Sequence, residues 1–167
     1  MRDLIVDGYN VLHSVPRYRR LLDCDLPTAR ERLVDDLASF SRDAWRTTIV
    51  FDGRGDQPSD PGGPVPGLRV VFTSNGGEAD AVVEALAREA RQRGEGAVVV
   101  TRDAATGWAV LGGTVTRMSP AELDAAMSED RRDRGESAPA TPGTATVERR
   151  ICDAARSGLL RLRDGSD

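Results

Sequence analysis

The sequence predicts an α/β protein, a mostly parallel sheet covered by helices on both faces. Three observations carry this. Apolar, strand-like runs alternate with stretches of helical periodicity through the first 127 residues. The run over 47–52 is long and uninterrupted, as suits a central parallel strand buried on both sides. Three of the runs also end alike: Leu4-Ile5-Val6-Asp7, Thr48-Ile49-Val50-Phe51-Asp52 and Val98-Val99-Val100-Thr101-Arg102-Asp103 each stop on an aspartate.

Taken in order, residues 3–7 form the first strand, and Gly8 reads as a tight turn out of it. Residues 11–26 are a loop or short helix containing Arg17, Tyr18, Arg19 and Arg20. Thr28-Ala29-Arg30-Glu31 reads as a capping box that opens a helix to about Trp45. Leu33, Val34, Leu37, Phe40 and Ala44 recur at helical spacing as its inner face. Residues 47–52 are the second strand. Residues 53–67 hold Pro61-Gly62-Gly63-Pro64-Val65-Pro66-Gly67, which fits neither a helix nor an inner strand and makes a long surface loop.

Residues 68–73 are the third strand. A helix follows from Glu78 to about Arg93, with Ala79, Val82, Val83, Leu86 and Ala90 facing inward. Residues 97–101 are the fourth strand, followed by a short helical piece with Trp108, and residues 114–118 are the fifth. Ser119-Pro120-Ala121-Glu122 is a second capping box with proline at the first helical position, opening a helix to about Met127. The folded domain is expected to span 1–127. Residues 128–146, charged and then rich in Pro, Ala, Thr and Gly, read as a flexible linker. Residues 147–167 read as a C-terminal helix and tail, with Val147, Ile151, Ala155, Leu159 and Leu162 on one side.

Composition narrows the function classes. At 167 residues, with 39% hydrophobic and 30% charged, the chain has the make-up of an ordinary soluble domain. No apolar run approaches the ~20 residues of a membrane span, and no leader pattern opens the chain, so the expected setting is the cytoplasm without a membrane partner. Cys24 and Cys152 are far apart and suggest neither a disulfide nor a zinc framework. His13 is the sole histidine, so a His-rich metal site is excluded. There is no P-loop and no G-x-G-x-x-G. A net charge of −4 argues against tight, non-specific binding to nucleic acid, although all 23 basic residues are arginine, the side chain best shaped to grip phosphate.

The acids carry the chemistry. Ligands of open α/β sheets bind outside the carboxyl ends of the strands. Asp7, Asp52 and Asp103 are expected at that edge, and Asp80, in the first turn of a helix that follows a strand, belongs there too. One strand-end aspartate is often only a helix cap or a turn residue. Four converging carboxylates repel one another, and a divalent cation relieves that repulsion. An oxygen-only donor set points to Mg²⁺ or Mn²⁺, and a phosphate ester is the natural substrate of such a site. Arg17-Tyr18-Arg19-Arg20 could grip a nucleic-acid backbone with Tyr18 stacked on a base, or could be a solvated loop. Gly53-Arg54-Gly55 after Asp52 reads as turn chemistry before a phosphate cradle, with Arg54 a candidate to touch phosphate, and Arg102 beside Asp103 either pairs with an acid or touches phosphate. Glu78 and Glu84 are either supporting acids or helix surface.

Val6-Asp7-Gly8-Tyr9-Asn10, Val50-Phe51-Asp52, Glu78-Ala79-Asp80 and Thr101-Arg102-Asp103, in this order and spacing, resemble the YacP-like NYN domains of the PIN-like nuclease superfamily. The resemblance covers about residues 1–127. It implies a three-layer α/β/α fold with a five-stranded sheet of order 3-2-1-4-5. It also implies metal-dependent endoribonuclease activity, with relatives linked to mRNA cleavage on the ribosome. By motif, Asp7, Asp52, Asp80 and Asp103 would hold the metal, and Asn10 would orient the phosphate or a bound water. The family pattern places a glutamate three residues before the helix aspartate; here that position is Gly77 and the acid is Glu78. The expected function is therefore hydrolysis of RNA phosphodiesters with Mg²⁺ or Mn²⁺, with RNA and the ribosome as partners. The rival readings are a non-catalytic RNA- or ribosome-binding module and a phosphatase for small esters.

Overall fold

The structure is a computed structural model and describes residues 2–42, 44–53, 67–73, 79–102 and 113–135. Strands β1 (Arg2–Asp7), β2 (Trp45–Phe51), β3 (Leu68–Phe72), β4 (Ala97–Val100) and β5 (Val115–Met118) form one sheet of order β3-β2-β1-β4-β5. Every neighbouring pair is parallel. The helices are α1 (Gly8–Ser14), α2 (Pro16–Leu22), α3 (Leu26–Ser41), α4 (Ala79–Gln92) and α5 (Pro120–Asp133).

Alternation along the strands divides the core in two. Leu4, Val6, Ile49, Phe51 and Val100 point to one face, where they pack with α1, α2, α3 and α5 residues including Val11, Leu12, Leu33, Leu37 and Leu123. Ile5, Val50, Ala97 and Val99 point to the other face and pack against Ala79, Val83, Ala87 and Ala90 of α4. The expected inner stripe of α4 is therefore observed, with Val82 and Leu86 half-buried at its rim. On α3, Leu33, Val34 and Leu37 are buried and Phe40 is partly so. Ala44 lies beyond the helix and is exposed.

Several boundaries differ from expectation for local physical reasons. Gly8 is not a turn residue but the first residue of α1, capped by Asp7. Residues 8–22 form two short helices separated at Val15, where Pro16 opens the second. Helix α3 starts before Thr28, because Asp25 is its cap and accepts from the Thr28 backbone N–H at 2.9 Å. Ser119 and Glu122 form the expected reciprocal box, but α5 continues to Asp133, into the stretch read as linker. Cys24 is disulfide-bonded, against the expectation of no disulfide; Cys152 lies outside the described residues. So do the remainder of the linker, the C-terminal helix and tail, most of the Pro/Gly-rich loop, and the segment with Trp108.

At the amino-terminal edge of the sheet, Asp3 is buried and holds Arg46 Nε at 2.6 Å and Arg93 Nη2 at 2.7 Å. A cavity of about 490 Å³ opens beside this cluster, between Ile5, Leu68, Arg69 and Leu86. It is at the opposite edge from the aspartates that end the strands.

Candidate active site

The chain runs β1, β2, β3 outward on one side and then returns to place β4 on the other side of β1. The order therefore reverses between β1 and β4, and a crevice opens at the carboxyl ends of those two strands. Asp7 ends β1 at that point. Val6 is level with Val100, so Asp7 and Thr101 stand side by side across the reversal. Phe51 is level with Phe72, which likewise puts Asp52 beside Thr73.

Asp7 is 8% exposed. One of its oxygens, Oδ1, accepts the Asn10 backbone N–H at 3.0 Å and so caps α1. The other, Oδ2, accepts the Asn10 side-chain amide at 2.5 Å. That same amide lies 3.4 Å from the Thr101 hydroxyl. Asn10 thus joins the end of β1 to the end of β4. Thr73 does similar work for the second acid: its hydroxyl donates to Asp52 Oδ1 at 2.9 Å and accepts the Gly53 N–H at 3.1 Å. Asp80 is exposed, in the first turn of α4.

Burial pushes the Asp7 carboxyl above its ordinary range. The two hydrogen bonds from Asn10 oppose that shift, while the charges of Asp80 and then Asp52 add to it. Asp7 therefore feels the charges of both Asp80 and Asp52 at the crevice. Asp103 and Glu78 lie outside the described residues, and among the described residues no three acidic, histidine or cysteine side chains close into a ready-made metal group. The donor chemistry of the three described acids still fits a hard cation: the oxygens are carboxylate, and bringing positive charge to them relieves the cost of keeping Asp7 ionised.

Gly8 is required here for space. A Cβ at this position would lie 2.3 Å from Phe51 Cε1. Phe51 in turn stacks on Phe72, with centroids 5.4 Å apart, and meets the edge of Tyr9 at 5.6 Å. The glycine lets α1 start directly on the ring that precedes Asp52.

The expected arginine-tyrosine grip is arranged differently. Tyr18 is fully buried, and its hydroxyl donates to Asp36 at 2.6 Å, so no ring face is left for a base. Arg17 pairs with Asp36 at 3.3 Å and Asp124 at 2.8 Å. Arg32 and Arg131 reach Asp36 as well, so this cluster ties α2, α3 and α5 together. Arg19 and Arg20 are exposed, and Arg20 reaches back to the Pro16 carbonyl. Arg102 is exposed one residue after Thr101, at the crevice; Arg54 lies outside the described residues. His13, exposed on α1, has its ring 6.4 Å from that of Tyr9, and Glu84 is half-buried on α4. Sequence reasoning missed Thr73 and Thr101. The available signal was their place, one residue past an apolar strand.

The family model for the YacP-like NYN domain matches residues 4–163. The chain belongs to the YacP-like NYN family. The match takes in much of the stretch after residue 127, beyond the part of the chain on which the motifs lie. A YacP protein of Bacillus subtilis (strain 168), described as uncharacterized, is 29% identical over 121 residues, which are 72% of this chain and 71% of that protein. The crystal structure of Rae1 (YacP) from Bacillus subtilis superposes with a TM-score of 0.68 at 24% identity, covering 99% of this chain and 96% of that one. A crystal structure of a tryptophan-to-leucine mutant of the same Bacillus subtilis protein gives a TM-score of 0.62 at 24% identity, over 92% of this chain and 99% of that one. These superpositions agree with the PIN-like order of the NYN sheet. Membership of the NYN family places the chain in a nuclease-type fold and suggests ribonuclease activity. Among the described residues no helix is long and apolar enough to cross a membrane.

Proposed function

We propose that this chain is a Mg²⁺- or Mn²⁺-dependent endoribonuclease that hydrolyses RNA phosphodiester bonds in the cytoplasm, on mRNA held by the ribosome. The observation that carries the reading is Asp7: a buried carboxylate at the reversal of strand order, with two further carboxylates close enough to disfavour its charge.

Asp7, Asp52, Asp80 and Asp103 would hold the metal. A bound divalent cation would supply the positive charge that makes a water nucleophilic at neutral pH and offsets charge on the phosphate. The chain's own residues do the positioning. Asn10 fixes both oxygens of Asp7, and its link to Thr101 keeps the ends of β1 and β4 in step. Thr73 fixes Asp52 through its hydroxyl. Asp80 approaches from the opposite layer, because α4 packs on the other face of the sheet from α1. A site held by three elements of one rigid sheet and one helix suits in-line attack, which depends on orientation. The products would be a 5′-phosphate and a 3′-hydroxyl.

A net charge of −4 gives free RNA little reason to accumulate on the surface, so the ribosome is the proposed presenter of substrate. The test uses the purified full chain with labelled RNA, free and ribosome-bound, in Mn²⁺, in Mg²⁺ and in EDTA. Cleavage in either metal, none in EDTA, and faster cutting of ribosome-bound RNA support the proposal. Binding of RNA or ribosomes that persists in EDTA, with no cleavage in any metal, would establish the binding-module reading instead. Equal rates on free and ribosome-bound RNA would remove the ribosome from it.

A further inference from the structure

Helix α3 leads into β2, so it runs antiparallel to the strands and its first turns lie at the carboxyl edge of the sheet. Arg30 is in this part of α3 and is half-buried. Its guanidinium carbon lies 5.4 Å from the ring centre of Tyr9 and 5.7 Å from those of Phe51 and of Phe72. Its Nη2 donates to the Tyr9 hydroxyl. Its Nε is buried without a partner, and among the described residues no carboxylate pairs with it.

This is an unusual place for an arginine. Half-buried cations are normally matched by an acid. Here the matching groups are three aromatic rings, which offset part of the desolvation but bring no negative charge. The three rings are anchored next to the crevice: Tyr9 follows Asp7 by two residues, Phe51 precedes Asp52, and Phe72 precedes Thr73. A second arginine-tyrosine pair, Arg17 and Tyr18, is neutralised by Asp36. Among the described residues Arg30 and Tyr9 have no such acid.

We infer that Arg30, oriented by the Tyr9 hydroxyl, is a substrate-binding residue that takes a phosphate of the RNA strand beside the acidic crevice. The inference rests on the proposed RNA substrate. A guanidinium offers five donors in a fixed fork, and a phosphate supplies the negative charge that this one lacks. The half-buried rings of Tyr9 and Phe72 flank it. The acids of the crevice repel the RNA backbone, so a cation fixed at their border decides where the strand can lie.

The test measures binding of a fluorescent single-stranded RNA oligonucleotide by anisotropy in EDTA, over a series of salt concentrations, for the full chain and for Arg30→Gln, Arg30→Lys and Tyr9→Phe. Arg30→Gln should weaken binding about three- to tenfold and flatten the slope of log affinity against log salt by about 0.7, the loss of one phosphate contact on a single strand. Arg30→Lys should keep the slope and lose part of the affinity. Tyr9→Phe keeps the ring and should weaken binding by about two- to threefold at unchanged slope, so it carries the test if Arg30→Gln does not fold. In cleavage assays the same variants should raise KM and leave kcat nearly unchanged. Wild-type affinity and slope in folded Arg30→Gln, or wild-type affinity in Tyr9→Phe, would overturn the inference while leaving the nuclease proposal intact. A wild-type chain that neither binds nor cuts RNA would overturn both.

Discussion

Asn10 holds Asp7 by both carboxylate oxygens, through its backbone N–H at 3.0 Å and its side-chain amide at 2.5 Å. The dull role of a strand-end aspartate, capping the next helix, is therefore real, and it is compatible with a second role. A carboxylate has about four lone-pair positions, and Asn10 uses two of them. The cap fixes where the remaining ones point.

Ionising Asp7 costs stability as long as no cation is bound. Burial and the charges of Asp80 and Asp52 outweigh the help from Asn10, so its folded pKa lies above its unfolded value. Ionised Asp7 then destabilises the fold fully above that raised pKa, and the effect fades as pH falls and is gone below the unfolded value. Asp7→Asn should raise the thermal midpoint in EDTA at about pH 8, and the gain over wild type should vanish near pH ~3.5, below the ordinary aspartate value. The Asn10 amide can turn over so that its oxygen accepts from the new amide, and the Thr101 hydroxyl can then donate instead of accept. Differential scanning calorimetry against pH checks this; a variant less stable than wild type at the alkaline end contradicts it.

Gly8→Ala sets two effects against each other. Alanine is the better helix residue by up to about 1 kcal/mol. Its Cβ would meet Phe51 Cε1 at 2.3 Å and Cδ1 at 2.5 Å. Phe51 is held between Phe72 and Tyr9 and cannot simply swing away. Overpacking should win, with a net loss of about 1–3 kcal/mol in urea unfolding.

Tyr18→Phe separates structure from substrate binding at the arginine-rich segment. The hydroxyl sits between Arg17 Nη2 at 2.8 Å and Asp36 at 2.6 Å. Burial and the nearby Asp36 charge push its pKa far above the ordinary value, so it stays a donor at any physiological pH. Its removal should lower unfolding free energy by about 1–2 kcal/mol and leave the affinity for RNA unchanged. An RNA-binding defect in folded protein would restore the stacking role that the burial of Tyr18 argues against.

Much of this was legible in the sequence. Apolar runs that end in Asp7 and Asp52 mark both the strands and the edge where they finish, because an ionised side chain is tolerated only where the strand leaves the core. Ser119 and Glu122 mark a helix start through a fixed local hydrogen-bond pattern. What was not legible depends on contacts between distant residues. Gly8 looks like a turn glycine until Phe51, from another strand, is placed against it. Tyr18 among arginines looks solvated, although Val15, Tyr18 and Leu22 recur at helical spacing and pack inward together. Asp25 and Thr28 are rival caps three residues apart, and Pro27 in the first turn is the detail that favours the earlier one. Thr73 and Thr101 look like ordinary strand formers, and only the register sets one beside Asp52 and the other beside Asp7.

The metal-holding role of Asp7 is tested by cleavage of labelled RNA by the purified full chain in Mn²⁺, wild type against Asp7→Asn, with both proteins shown to be folded. The wild type should make internal cuts with 5′-phosphate ends, and the variant should be slower by on the order of 100-fold or more, since the positive charge that Asp7 would help to hold is worth several kcal/mol. An Asp7→Asn protein that cuts RNA as fast as wild type would contradict it.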